Sequence, residues 1–254
     1  VEDTRPTVLF YDEGMAGQAA ELAKSAAGIA HLFMVSEQAA DFNSLYTQGE
    51  LSEPLSQAPG DPFAIIHTAA VLGKPRGAVL SQENIILANQ QIIQAYDLGP
   101  DKTYLNILPL FHIMGVNLGL GTLQAGGRNV IMEKFDAQKA LGLITEQKVN
   151  IFGSFPPILT QLIDTIQSTP EADHSCLETV VGLEAPDTAR QWESKTGSTF
   201  WALYGQTETS GIITTSPYFE KAGSAGRITP LATVRTIDED DRLQSPGQTG
   251  EIVL

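Results

Sequence analysis

The sequence predicts an α/β fold of layered helices and mostly parallel sheets, on three observations. Short runs rich in β-branched and aromatic residues, beginning with residues 7–12 (TVLFYD), alternate with stretches of helical character. The chain opens strand–helix–strand, the unit that builds a parallel sheet. Its C-terminal residues change to short β segments around a charged turn.

Each element has its own signal. Residues 7–12 read as a buried strand. Residues 19–27 are alanine-rich and helical in propensity, and Gly28 closes them. Residues 29–35 form the second strand. Residues 39–61 are polar, carry proline and read as a linking loop. Residues 63–68 are again a strand, followed by a turn-rich stretch from Thr68 to Gly77. Ser81 opens a helix with Ile85, Ile86, Ile92, Ile93 and Tyr96 on one face, and Gly99-Pro100 stops it. Residues 104–108 look like a strand. Asp136 caps a helix that runs through Lys148, with a strand at 149–152. Residues 157–166 repeat the helical period. Strand 177–181, helix 187–196 and strand 199–204 continue the alternation. The tail is hairpin-like: residues 233–237, an aspartate-rich turn at 238–241, then 250–254. The chain stops inside that apparent strand, leaving an apolar edge, so the expectation is a piece of a longer protein.

The 254 residues suffice for one to two domains and for a core that needs no disulfide staple. A hydrophobic fraction of 42% with 18% charged residues is globular rather than disordered. The formal net charge of −15 repels nucleic-acid backbones and anionic membrane surfaces. It is compatible with one small anion such as a nucleotide, because a local nest of N–H groups outweighs a distant field. Solubility, or a salty habitat, accounts for the acidity itself. The single cysteine, Cys176, excludes a disulfide framework and reads as a bystander beside the strand that follows. His31, His67, His112 and His174 lie far apart without HExxH spacing, which disfavours a zinc enzyme. No apolar run is long enough to span a bilayer, and the first residues do not form a signal peptide. Cytoplasm is the default expectation.

Four stretches bear on chemistry. Gly73-Lys74 invites a Walker A reading, but Thr68 stands where that motif needs glycine and Pro75 where it needs Ser or Thr. Ser224, between Gly223 and Gly226, resembles a nucleophile elbow but leads into a β segment rather than a helix, so a flexible turn is the plainer reading. The Thr68–Gly77 stretch, read as a loop between a strand and a helix, holds two glycines and the cations Lys74 and Arg76, and can wrap phosphate oxygens. A surface turn has the same composition. Tyr204-Gly205-Gln206-Thr207-Glu208 falls at the carboxyl end of a strand, where ligands of α/β sheets bind. There a ring can stack on a base, a hydroxyl can bind phosphate and a carboxylate can hold Mg²⁺. A strand-to-loop turn around a buried tyrosine has the same pattern.

Taken together and in order, these stretches resemble the adenylate-forming superfamily of acyl-CoA synthetases, adenylation domains and firefly luciferase. Thr68–Ser81 resembles its phosphate loop. Pro109-Leu-Phe-His112 resembles the segment ending in a histidine beside the acyl pocket. Gly182-Leu183-Glu184-Ala-Pro186 is similar to its adenine-binding stretch, and Tyr204–Glu208 to its most diagnostic pentapeptide. Gly223–Arg227 and Gly250-Glu251 match later glycine motifs. Two features depart from the family. Ala69-Ala70-Val71-Leu72 occupies a loop that is normally hydroxyl- and glycine-rich. The ribose-binding Asp and the catalytic Lys belong to segments further on, and the early position of Thr68 implies a missing N-terminal piece as well.

The resemblance implies a division into a partial α/β subdomain with its linking loop (1–60), an AMP-binding α/β subdomain (61–216) and a truncated, β-rich, barrel-like subdomain (217–254). It implies an acid–thiol ligase that converts a carboxylate and ATP to an acyl-adenylate and passes the acyl group to coenzyme A. In that scheme Thr68, Gly73, Lys74 and Arg76 hold the leaving pyrophosphate. Glu208 places Mg²⁺, and Thr207 contacts the α-phosphate. Tyr204 and Gly205, with Gly182, Leu183 and Glu184, hold the adenine, and His112 lines the carboxylate pocket. The segment 108–118 (LPLFHIMGVNL) offers His, Phe, Met and aliphatic side chains and no acid, which suits a fatty acid and leaves aromatic or short acids open. The expected partners are that acid and the missing N- and C-terminal portions of the same protein, with a homodimer as a further expectation. The residues themselves leave open a non-catalytic nucleotide-binding or scaffold module, and a luciferase-like oxygenase.

Overall fold

The computed structural model describes residues 4–26, 28–36, 40–43, 45, 56–69 and 73–254. They fall into two compact units, Val1–Gln57 and Ala58–Leu254.

The first unit opens with strand β1 (Val8–Tyr11), helix α1 (Ala16–Ser25) and strand β2 (His31–Met34). The strands pair in parallel from Val8↔His31 to Tyr11↔Met34, as the strand–helix–strand reading predicts. Phe10 stacks on Phe33 with ring centroids 5.5 Å apart, tying the pair on one face. A short helix, α2 (Ala40–Asn43), lies within the stretch read as a linking loop. Residues 39, 44 and 46–55 of that stretch lie outside the described residues, as do residues 1–3 and Ala27.

The second unit begins with β3 (Pro62–Thr68) and β4 (Arg76–Ser81), then α3 (Gln82–Tyr96) and β5 (Thr103–Asn106). Helix α4 (Ile113–Gln124), β6 (Arg128–Ile131), α5 (Ala137–Gln147) and β7 (Ile151–Ser154) follow. Next come α6 (Ile158–Ser168), β8 (Thr179–Gly182), α7 (Pro186–Thr196), β9 (Thr199–Gln206) and β10 (Gly211–Pro217). The chain closes with β11 (Arg227–Ile228), β12 (Arg235–Ile237) and β13 (Glu251–Val253).

Seven strands form the main sheet in the order β11-β10-β9-β8-β7-β5-β6. From β6 to β9 every pairing is parallel, and β10 and β11 add antiparallel strands at one edge. All four residues of β5 and of β7 are buried, as a strand covered on both faces requires. Helices α3 and α4 pack on each other, and α5, α6 and α7 pack in succession. The main core joins Tyr104, Leu105, Phe152, Val180 and Phe200 from the strands to Leu141, Leu159 and Trp192 from the helices. Trp192 is fully buried and donates through Nε1 to Ser198 Oγ at 2.8 Å, which satisfies its one polar group. β12 and β13 pair antiparallel, the hairpin read from the tail.

Three readings need correction. Arg76–Ser81 is a strand antiparallel to β3, so the Thr68–Gly77 stretch connects two strands of a hairpin rather than a strand and a helix. The hairpin register sets Thr68 opposite Arg76. Helix α3 begins where expected, because the Ser81 side chain accepts from Asn84 N–H while the Asn84 side chain accepts from Ser81 N–H, a reciprocal cap. Its apolar face is narrower than the spacing predicts: Ile85, Ile92 and Tyr96 are buried, whereas Ile86 is 47% exposed. The sequence carries no clear signal for helix α4 or for strands β6 and β10. In α4 the glycines at 115, 119 and 121 dilute helical propensity, so packing against α3 and the sheet decides the conformation.

Candidate active site

The carboxyl ends of β8 and β9, the start of α4 and the β3–β4 hairpin converge on one region of the second unit. Two glycines permit the approach. A Cβ on Gly182 would overlap the Ser154 carbonyl of the neighbouring strand β7, and a Cβ on Gly205 would overlap the Gly211 carbonyl of β10. Next to these glycines the chain presents Leu183 (53% exposed) and Tyr204 (38% exposed) near the ends of adjacent strands. A Tyr204 open to solvent departs from the buried tyrosine that a plain turn would hold. Glu184 folds back on its own chain, its Oε1 accepting from Ala185 N–H at 3.0 Å.

After β9 the chain turns through a short helical segment, Thr207–Thr209. Thr207 is buried beneath this turn and Glu208 is exposed on it. Ser210 then takes a left-handed conformation (φ 61°), and its carbonyl accepts from Asn117 Nδ2 of α4 at 2.6 Å. That bond pins the turn to α4. Thr68, at the end of β3, donates through Oγ1 to Glu208 Oε1 at 3.4 Å and lies at the same distance from the Arg76 carbonyl. Residues 140 positions apart are thereby brought together. Gly73, Lys74 and Arg76 stand exposed on the same hairpin, with neither cation in an ion pair among the described residues. Ala70, Val71 and Leu72, the aliphatic part of the expected phosphate loop, lie outside the described residues.

His112 is the N-cap of α4. Its Nδ1 accepts from Met114 N–H at 3.2 Å, which leaves Nε2 to carry the proton of the neutral ring and to donate outward. The ring meets Phe155 edge-on, with centroids 5.8 Å apart. Behind the exposed His112 opens a cavity of about 150 Å³, lined among others by Tyr96, Met114, Phe155, Leu203 and Gly205. From the segment 108–118 the cavity takes His112, Ile113, Met114, Asn117 and Leu118. Phe111 does not contribute as the sequence suggests: it is 80% exposed and lines a separate hollow with Phe63 and Leu110. The aromatic wall comes instead from Phe155 and Tyr96. The sequence places Tyr96 only on a helix face, and Asn117 carries no signal, because the glycines of α4 blur its helical spacing.

Cys176 is half-buried against the core and its thiol is pushed up by burial, in line with a bystander. Among the described residues no group of three or more His, Cys, Asp or Glu side chains could hold a metal. One exposed carboxylate, Glu208, is the donor set that suits Mg²⁺ held largely by phosphate and water oxygens, so the residues present fit that ion. No helix among the described residues is long and apolar enough to cross a membrane.

With this geometry in hand, comparison with known proteins defines the class. The model of the AMP-binding enzyme family matches residues 1–254, and the chain belongs to that family. An indoleacetate–CoA ligase of Aromatoleum aromaticum is 31% identical over 202 residues, 77% of this chain and 39% of that protein. A medium/long-chain-fatty-acid–CoA ligase of Mycobacterium tuberculosis is 29% identical over 206 residues, 77% of this chain and 35% of the relative. Among solved structures, a Rhodopseudomonas palustris chain assigned as a long-chain-fatty-acid CoA ligase superposes with a TM-score of 0.91 at 36% identity, over 98% of this chain and 63% of the other. The chain thus spans well under half the length of these two curated relatives.

Proposed function

We propose that this chain supplies the nucleotide- and acid-binding part of an ATP-dependent acid–thiol ligase. The carrying observation is the junction of Thr68 with Glu208 beside the His112 cavity, which unites three stretches far apart in sequence. In this reading a carboxylate attacks the α-phosphorus of ATP, giving acyl-adenylate and pyrophosphate, and a coenzyme A thiol then displaces AMP.

The residues divide the work. Tyr204 and Leu183 hold the adenine, while Gly182 and Gly205 let the strands that carry them close on their neighbours. Glu208 holds the bound Mg²⁺, which neutralises phosphate charge. Thr68, Gly73, Lys74 and Arg76 receive the leaving pyrophosphate, where exposed cations lower the cost of its charge. Thr207 sits beneath the α-phosphate position. His112 orients the carboxylate through Nε2, and the apolar cavity takes the rest of the acid. The uncharged lining supports an acid without an ammonium group, a fatty acid being the sequence's choice. The three-part division at residues 60 and 216 belongs to the same reading, as do completion of the ligase by further segments of the same protein and a cytoplasmic setting.

The test is acid-dependent exchange of labelled pyrophosphate into ATP by the intact protein. Exchange that requires acid, Mg²⁺ and Glu208 is expected. Nucleotide binding with no exchange for any acid would assign the fold to a non-catalytic module.

A further inference from the structure

The cavity behind His112 has a fixed wall. Tyr96, from the last turn of α3, lines it and is 5% exposed. Its hydroxyl lies 3.0 Å from Thr215 Oγ1. Thr215 Oγ1 donates to the Ala202 carbonyl at 2.9 Å, so it is the Tyr96 hydroxyl that donates to Thr215. The ring also meets Trp201 edge-on, with centroids 5.4 Å apart. One hydrogen bond and one aromatic contact thus hold the side chain in a single position. Burial raises the phenol pKa, so the hydroxyl stays a donor across the working pH range.

The volume in front of this wall is small. A cavity of about 150 Å³ is the size that accepts one benzene molecule. A second hollow of about 230 Å³ is lined by Ala95, Trp201, Thr215 and Ile228 among others. Both side-chain partners of Tyr96, Trp201 and Thr215, line this second space, so the tyrosine ring is backed by side chains that are themselves fixed in the fold.

We infer that Tyr96 sets the size of the acid: the cavity takes a compact acid with a body no larger than a single aromatic ring, and long aliphatic chains are shut out by this side chain. The inference rests on the ligase reading above and narrows its substrate. A short aliphatic acid fits the same space, whereas an extended fatty acid needs the ring moved aside. Tyr96 is a specificity-determining wall and takes no part in the chemistry.

The experiment measures pyrophosphate exchange by the intact protein with benzoate, hexanoate and dodecanoate. Wild type is expected to prefer benzoate or hexanoate over dodecanoate by at least about 100-fold, the upper range of what an apolar pocket achieves by size. Tyr96→Ala enlarges the cavity by the space of the ring and should raise the relative rate with dodecanoate by roughly tenfold or more, at an unchanged KM for ATP. Tyr96→Phe keeps the ring and should keep the preference, which separates size from loss of the hydroxyl. Dodecanoate used as well as benzoate by wild type overturns the inference and leaves the ligase reading standing. Exchange with none of the acids overturns both. An unaltered preference in a folded Tyr96→Ala variant removes Tyr96 from the selection.

Discussion

Replacing Glu208 by Gln separates a role in catalysis from a role in folding. The side chain is exposed, and the one hydrogen bond it accepts among the described residues, from Thr68 at 3.4 Å, is long. An exposed group with one weak contact is worth little to stability, so Glu208→Gln should shift unfolding free energy by less than about 0.5 kcal/mol. Its expected effect on activity is of another order: losing one group that organises charge at the reacting phosphate costs roughly 100- to 1,000-fold in rate. The sign of the binding change adds a second check. The chain carries a net charge of −15, and a carboxylate repels a polyphosphate unless a cation stands between them. Without Mg²⁺ the Gln variant should bind ATP as well as wild type or better, and with Mg²⁺ it should bind less well. The assay pairs pyrophosphate exchange with calorimetric titration of ATP in EDTA and in excess Mg²⁺, alongside a urea melt. Weaker ATP binding by the variant under both metal conditions would refute the reasoning, as would a loss of stability that matches the loss of rate.

Other consequences are more local. His112→Ala should change the relative rates with different acids by about tenfold while moving the KM for ATP little, because the ring faces the acid cavity; a selective rise in ATP KM would count against that placement. Gly182→Ala drives a Cβ into the backbone of β7 and should destabilise the chain by about 1–3 kcal/mol, read as a lower urea midpoint. Burial raises the Cys176 thiol pKa, so near pH 8 its thiolate fraction is below that of a free cysteine and iodoacetamide labels it more slowly. Raising the pH should close that gap, and labelling at the free-cysteine rate at pH 8 would place the thiol outside the core.

Where a segment carried its own punctuation, the sequence was read correctly. Ser81 and Asp136 begin helices with side-chain caps, and both caps form, at Asn84 N–H and Lys139 N–H. The parallel alternation from β7 to β9 follows from apolar runs separated by helical periods. Failures came where the decisive contact is distant. Arg76–Ser81 extends because β3 lies beside it, and nothing local distinguishes it from a turn that runs into a helix. Helix α4 depends on packing that its glycine-rich sequence does not announce. The site was legible as stretches and illegible as geometry. Thr68, His112, Tyr204 and Glu208 are singled out by their chemistry, but Phe155 lines the pocket to which the segment 108–118 assigns Phe111, and the helical spacing that buries Tyr96 does not show that it also lines the cavity. A side chain's direction depends on the element that carries it, so an unread helix misplaces its residues.

The central claim is that the ends of β8 and β9, with the turn that follows, form a nucleotide site. Titrating AMP into the isotope-labelled chain, followed by amide chemical shifts, tests it most directly and detects weak binding at millimolar ligand. The account predicts shifts concentrated at residues 182–184 and 204–208, greatly reduced in Tyr204→Ala. Shifts centred elsewhere, or none at saturating AMP in the folded chain, would contradict it.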